Sequence, residues 1–342
     1  MVVAPYTAAH RQDWDEFVAV SATGSFFHTI NWKTVLEKVF GYTSMYFLVE
    51  EQGVIQGVLP LFLVKNPLGR KTLISLPFAV YGGLCAESPS ASQQLKEKGK
   101  SLACELGVDF LEFRHVVANG DELPIKELYF TFIREIFDGE EKNMNAIPRK
   151  QRRMIRQGIK HGLESKIGGK EFLREFYTIY TTSLRNLGTP AFPYRFFEIL
   201  LDVLGEQCRI LSVWRHNQMA AAVMTFCYKD QLLPYYGGGL PQFLPYAVYD
   251  FMYWELMRYG WEHGYKVFDF GRSKQGTGAY DFKRHWGFEP TPLRYQYYLP
   301  HGGDIPNFSP ANPKFQPFIS IWKRLPLSVA NLIGPHVIKY LP

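Results

Sequence analysis

The sequence predicts an α/β (α+β) protein of two tandem, duplicated units, each a small mixed sheet with one central helix, followed by a C-terminal appendage. Three observations predict it. Tyr81-Gly82-Gly83, a helix-like run and Gly107-Val108-Asp109-Phe110-Leu111-Glu112-Phe113-Arg114 return about 155 residues later as Tyr236-Gly237-Gly238, a helix-like run and the stretch from Gly264 to Arg272. Upstream of each, Phe47 to Lys65 and Leu211 to Lys229 read as two strands joined by a polar turn. From about residue 300 the composition turns to Pro, Asn and Gly, then to an aliphatic tail.

In the first unit, expected over 1–140, a polar helix forms around Asp13 to Phe17. A second spans Asn31 to Phe40, its apolar positions at helical spacing and Gly41 ending it. Strands are expected at 45–50, 54–64 and 72–80, a helix at 90–106, a strand at 108–114 and a helix at 124–137. Asp138 to Asn145 reads as a connector, and Pro148 opens a basic helix. The second unit, expected over 141–300, continues with helices at 170–185 and 193–204 and strands at 208–214, 219–228 and 231–237. A long helix at 246–262 and strands at 266–270 and 293–299 complete it. The appendage spans 301–342.

With 342 residues, 46% of them hydrophobic and 16% aromatic, the chain can bury substantial cores. Met1 to Tyr6 lacks a basic, apolar leader and no run of about 18 apolar residues occurs, so the expected location is the cytoplasm. The four cysteines, Cys85, Cys104, Cys208 and Cys227, show no ligand spacing; buried reduced thiols are expected, with no metal and no tightly bound cofactor. The net charge of +6 is local. Arg149, Lys150, Arg152, Arg153, Arg156 and Lys160 have no acid among them, and Lys314, Lys323, Arg324, His336 and Lys339 form a second acid-free group.

These residues resemble a known family. Ser25-Phe26-Phe27-His28 to Trp32, Ile147 to Arg156, Tyr236 to Gly239, and Phe268-Asp269-Phe270-Gly271-Arg272-Ser273 through Gly276 to Gly287 are similar to FemAB-related proteins with two tandem GNAT-like (acyl-CoA N-acyltransferase-type) domains. The ending, Ile321 to Leu327 and Gly334-Pro335, resembles the subgroup associated with exosortase/PEP-CTERM loci. The resemblance implies an N-acyltransferase that forms an amide on a cell-envelope or exopolysaccharide precursor, nucleotide- or lipid-linked, with aminoacyl-tRNA or acyl-CoA as donor. Two departures bear on it. No charged heptad run supplies the long coiled-coil arm of the cell-wall branch, and Leu240 to Ala247 lacks the Gly-rich pyrophosphate loop of acetyl-CoA users. A coenzyme A-dependent acyltransferase on an amino sugar and a non-catalytic module for anionic glycolipid or RNA stay open beside it.

Acyl transfer to an amine needs a group that steadies the negative charge growing on the carbonyl oxygen. By the family's Phe-Lys pair, Phe282 and Lys283 stand at the reacting centre, against the alternative of a surface lysine. Arg272, at a strand-end glycine turn, either holds an anion or pairs with Asp269 or Asp281; Asp269 projects towards the cleft as a weaker candidate base. His285 is either a proton acceptor or, preferably, a packed histidine. Arg149, Arg153, Arg156 and Lys160 fall at i, i+4, i+7 and i+11, one cationic face for a diphosphate or a nucleic-acid backbone such as tRNA. Tyr236, Gly237 and Gly238 end a strand where backbone can approach a ligand, and Trp32 and Lys33 open a helix near the acceptor. The tail from Phe315 to Leu341 has the composition of an interfacial segment, for a membrane surface at the inner face or for the protein's own body.

Overall fold

The computed structural model describes residues 1–116, 123–306 and 315–341; Lys314 of the second basic group lies outside them. Along the chain run β1 (Val2–Pro5), α1 (Arg11–Val20), α2 (Ile30–Phe40), β2 (Thr43–Glu51), β3 (Val54–Lys65), β4 (Lys71–Ile74), β5 (Cys85–Ala86), α3 (Pro89–Leu106), β6 (Leu111–His115) and β7 (Ile125–Lys126). There follow β8 (Tyr129–Glu135), α4 (Glu140–Ala146), α5 (Arg149–Lys160), β9 (Glu164–Gly168), α6 (Leu173–Leu187), α7 (Tyr194–Leu204), β10 (Cys208–Arg215), β11 (Gln218–Tyr228) and β12 (Gln231–Gly239). Last come α8 (Val248–Glu262), β13 (Val267–Asp269), β14 (Ser273–Lys274), α9 (Gly278–His285), β15 (Pro290–Pro292), β16 (Arg294–Tyr298), α10 (Gln316–Trp322) and α11 (Leu327–Ile338).

Two sheets result, ordered β1-β2-β3-β4-β6-β16-β7 and β9-β10-β11-β12-β13-β8-β14. Position by position they repeat one plan. β2 and β10 pair antiparallel with β3 and β11 through a bulge, and β4 and β12 run parallel to β6 and β13, each across a helix, α3 or α8. A crossover helix is what a parallel pair requires. The tandem GNAT-like duplication is therefore present, with a C-terminal extension.

Beside β6 and beside β13 each sheet takes in a strand from another part of the chain. β16 pairs with β6, and β8 pairs with β13. The two compact units follow this exchange: one holds Met1–Tyr129 and takes back the chain from Pro292 and from Lys339, the other holds Phe130–Thr291 and the chain up to Ile338. The late strand expected in the second sheet thus belongs to the first. The helix expected at 124–137 is instead β7 and β8, because Tyr129-Phe130-Thr131-Phe132-Ile133 is aromatic and β-branched and the end of the strand, Ile133 to Glu135, finds a ladder partner in Val267–Asp269. The strand expected at 72–80 stops at Ile74, since Leu76 and Phe78 take φ of 57° and 63°. Gly41 does end α2, at φ 66°. The connector holds the short helix α4, and Cys104, expected buried, is exposed.

In the second unit α8 covers one sheet face, where Phe251, Met252 and Met257 join Ala221, Val223 and Cys227 of β11 in a common core. The other face carries an aromatic cluster of Phe176, Tyr180, Phe192, Phe196 and Phe197 around Tyr236. In the first unit α3 packs through Ala91, Leu95 and Leu102 on Leu59, Leu61 and Leu73.

Candidate functional site

β12 and β13 pair only at Gln231↔Val267 and Leu232↔Phe268. Beyond that β12 follows β11 to Gly239, while β13 stays with β8 through Asp269↔Ile133 and the Phe270 N–H bond to Phe132 O (2.9 Å). Neighbouring strands therefore part. A register shift opposite Met224 and Thr225 leaves Tyr235 as the extra residue of a bulge on β12, a device that bends a strand and re-aims its groups.

The first unit has the same parting after β4 and β6, but its own chain fills it. Residues 75–84 are all buried there. Gly82 and Gly83 donate to Arg114 O, the Arg114 guanidinium donates to Leu76 O and Ala79 O, and Tyr295 Oη donates to Val80 O (2.7 Å). The second unit builds no such plug from the corresponding segment: β12 keeps its course and a 3-10 turn, Pro241–Tyr246, leads to α8.

At the end of β13 the backbone turns sharply. Asp269, 1% exposed, accepts from Gly271 N through Oδ1 at 2.7 Å, and Gly271 sits at φ 63°. Lys283 locks this turn. Its Nζ donates to the carbonyls of Phe270 (2.7 Å), Gly271 (3.0 Å) and Arg272 (3.2 Å), beside the rings of Phe132 and Phe270. Helix α9 delivers it: Thr277 caps the helix by accepting from Tyr280 N, and Tyr280 and Lys283, one turn apart, form its buried face. Burial draws the Lys283 amine down to about 7, and the Asp269 carboxylate opposes the drop. The three hydrogens of the ammonium are committed to three carbonyls, so Lys283 acts on the turn and, through its charge, on the parting beside it; direct donation to an oxyanion is absent from this geometry.

Phe282 is half-buried and packs near Tyr253, 5.6 Å between ring centroids, and Trp286, 6.1 Å. Arg272 is half-buried at the same turn. His285, read as preferably packed, lies exposed on the outer side of α9. The structure thus brings Asp269, Arg272, Phe282 and Lys283 together. Tyr236 sits on the other face of the sheet: its ring is enclosed by the α6–α7 aromatic cluster and its hydroxyl is held far above the ordinary value by burial. Gly238 accommodates α6, because a Cβ there would lie 2.7 Å from Ser183 Cβ, and at Gly237 it would meet Ala222 O at 3.0 Å. At both glycines close packing of the chain on itself requires the absence of a side chain.

Arg149, Arg153, Arg156 and Lys160 are all exposed along one face of α5, and none makes an ion pair among the described residues. The opposite face, Gln151, Ile155 and Gly158, is buried; Gly158 lies so close to Phe251 of α8 that a Cβ would come within 2.9 Å. Trp32 and Lys33 belong to the other unit. Trp32 is wholly buried there, and Lys33 pairs with Glu37 (2.8 Å) and reaches over Tyr6 and Tyr46 at the wall of a cavity of about 560 Å³.

One residue escaped the sequence reading. Asp250, in the first turn of α8, is buried and accepts from Trp286 Nε1 at 3.0 Å. Burial raises its carboxyl to about 6, with the Trp286 bond and Lys150 opposing. It is the only acid in the first turn of an otherwise apolar helix start, which was a readable signal. Above pH 6 this carboxylate sets a negative charge at the helix N-terminus, where a pyrophosphate would otherwise be favoured.

Residues 149–284 match the family described as "Acetyltransferase (GNAT) domain", which supports reading the chain as an acyltransferase enzyme. Among solved structures, FemX is similar over 87% of this chain and 97% of its own, with TM-score 0.71 and 16% identity. L-PGS from Bacillus licheniformis is similar over 88% and 96%, with TM-score 0.52 and 13% identity. A tandem GNAT protein from the clavulanic acid biosynthesis pathway covers 89% and 99%, with TM-score 0.53 and 11% identity. At these identities the likeness establishes the fold. No curated protein matches the sequence.

Proposed function

We propose that the chain is a FemAB-like N-acyltransferase that forms an amide on an amine of a cell-envelope or exopolysaccharide precursor. The observation that carries this reading is the contrast between the two copies: residues 75–84 fill the strand parting in the first, whereas in the second it adjoins the turn that Lys283 locks. There the acceptor amine attacks the donor carbonyl, an amide bond forms, the donor ester or thioester bond breaks, and the amine proton passes to the medium or leaving group. Lys283 keeps the Phe270–Arg272 turn in place and sets a positive field against the growing oxyanion. Phe282, Tyr253 and Trp286 exclude water.

The exposed row Arg149, Arg153, Arg156 and Lys160 holds the phosphates of a nucleotide- or lipid-linked acceptor or the backbone of tRNA. Between the donors, aminoacyl-tRNA is favoured over acyl-CoA, because Leu240–Ala247 lacks a Gly-rich phosphate loop and Asp250 places a carboxylate at the start of α8. The likeness to FemX and L-PGS agrees with an envelope setting. A cytoplasmic location and the exosortase/PEP-CTERM association rest on the sequence reading.

Native mass spectrometry of the purified chain tests the donor: co-purified tRNA is expected, and co-purified coenzyme A would reverse the choice. Lys283→Ala should keep phosphate-ligand binding and, by releasing the Phe270–Arg272 turn, lose turnover by about a hundred-fold, the order expected when reacting groups are misplaced by about 1 Å. Cells that show unchanged function with that variant would identify a non-catalytic binder instead.

A further inference from the structure

The C-terminal helices carry large apolar side chains on both sides. One side is docked on the second unit: Trp322 and Ala330 are buried, Gly334 lies against Ala191 where a Cβ would come within 3.1 Å of backbone, and Asn331 Nδ2 donates to Thr181 Oγ1 at 3.4 Å. Ile319 likewise lies against Gly188 at the end of α6. The other side stays uncovered. Phe318 is 41% exposed, Ile321 63%, Leu332 71% and Ile333 41%, and Leu187 beside the Gly188 contact is 63% exposed.

A helix with large apolar side chains on its exposed side as well as on its docked side has a second apolar environment to meet, a core or lipid. The charge around α10 and α11 names the partner. No acid occurs after Asp304, while Lys323 and Arg324 are exposed where α10 ends. Apolar side chains flanked by cations without acids match the headgroup boundary of an anionic bilayer, where the side chains enter the acyl region and the cations meet phosphates. Among the described residues no helix is long and apolar enough to cross a membrane, so the contact is in the plane of the surface.

We infer that α10 and α11 dock this protein on an anionic lipid surface through Phe318, Ile321, Leu332 and Ile333, with Lys323 and Arg324 on the headgroups. The inference stands apart from the enzymatic reading. The full chain is sedimented with vesicles of phosphatidylglycerol and phosphatidylcholine and with vesicles of phosphatidylcholine alone. Binding is expected on the anionic vesicles, weakened at high salt, and lower by about ten-fold for the double variant Ile321→Ser/Leu332→Ser. Both positions are exposed, so thermal unfolding should be unchanged. Lys323→Ser/Arg324→Ser, which leaves the apolar side intact, should remove the preference for anionic vesicles. Absence of wild-type binding, binding at the wild-type level by both double variants, or a solution dimer that Ile321→Ser/Leu332→Ser dissociates would overturn the inference, the last in favour of a second copy.

Discussion

Lys283→Met removes the one buried amine of the site and leaves a pH signature that a packing change cannot imitate. In the folded protein burial draws this amine from the ordinary 10.5 to about 7, against the pull of Asp269. The unfolded chain keeps the ordinary value. Between the two values the unfolded chain binds more protons than the folded one, so stability rises with pH across the window. Below it both states carry the proton and the full burden of a buried ammonium is present; above it neither does. From about pH 7 to about pH 9 the wild type should gain about 2 kcal/mol from this position. Methionine carries no proton and gains nothing. The substitution leaves the carbonyls of Phe270, Gly271 and Arg272 without Lys283, a cost of about 1–3 kcal/mol for each that stays buried. The step from three hydrogens on the ammonium to two on the neutral amine is already contained in the lowered value and belongs to the pH-dependent part. Urea unfolding of both proteins, followed by tryptophan fluorescence at several pH values in the window, reads the difference. A gap between wild type and variant that stays constant from neutral to alkaline pH would refute the reasoning.

Two further substitutions test the frame around the site. Asp250, raised by burial to about 6, binds more protons folded than unfolded between its ordinary 3.8 and that value, so its contribution is fully present at acid pH and falls as pH rises through about 6. Asp250→Asn keeps an acceptor for Trp286 and should be more stable than wild type at neutral pH, by up to about 3 kcal/mol, with a flatter acid limb; a less stable variant in neutral urea titrations would contradict this. Gly238→Ala places a Cβ 2.7 Å from Ser183 Cβ and should lose about 1–3 kcal/mol. Gly278→Ala, where nothing lies within 4 Å, is its control and should unfold at or above the wild-type midpoint.

Much of this was local and therefore readable. Gly41, the basic helix and the strand pairs before each crossover depend on spacing of a few residues, and they stand as read. The cluster of Asp269, Arg272, Phe282 and Lys283 lies within fifteen residues of chain, so its assembly was legible too. What Lys283 does there was not. Its three acceptors are backbone carbonyls eleven to thirteen residues away, and only the turn at Gly271 points them at one nitrogen.

By itself the sequence determined that two similar sheet-and-helix units follow one another, because a repeat of glycines, strand alternation and helix spacing is written residue by residue. Only the tertiary structure decided where β8 and β16 pair, since a strand's partner is set by which open sheet edge it meets, and an aromatic run such as Tyr129–Ile133 carries no mark of that edge. The same holds for Gly238 and Asp250. A glycine that admits a helix and a carboxyl that burial raises above its ordinary range look in the chain like any other, until packing brings Ser183 and Trp286 against them.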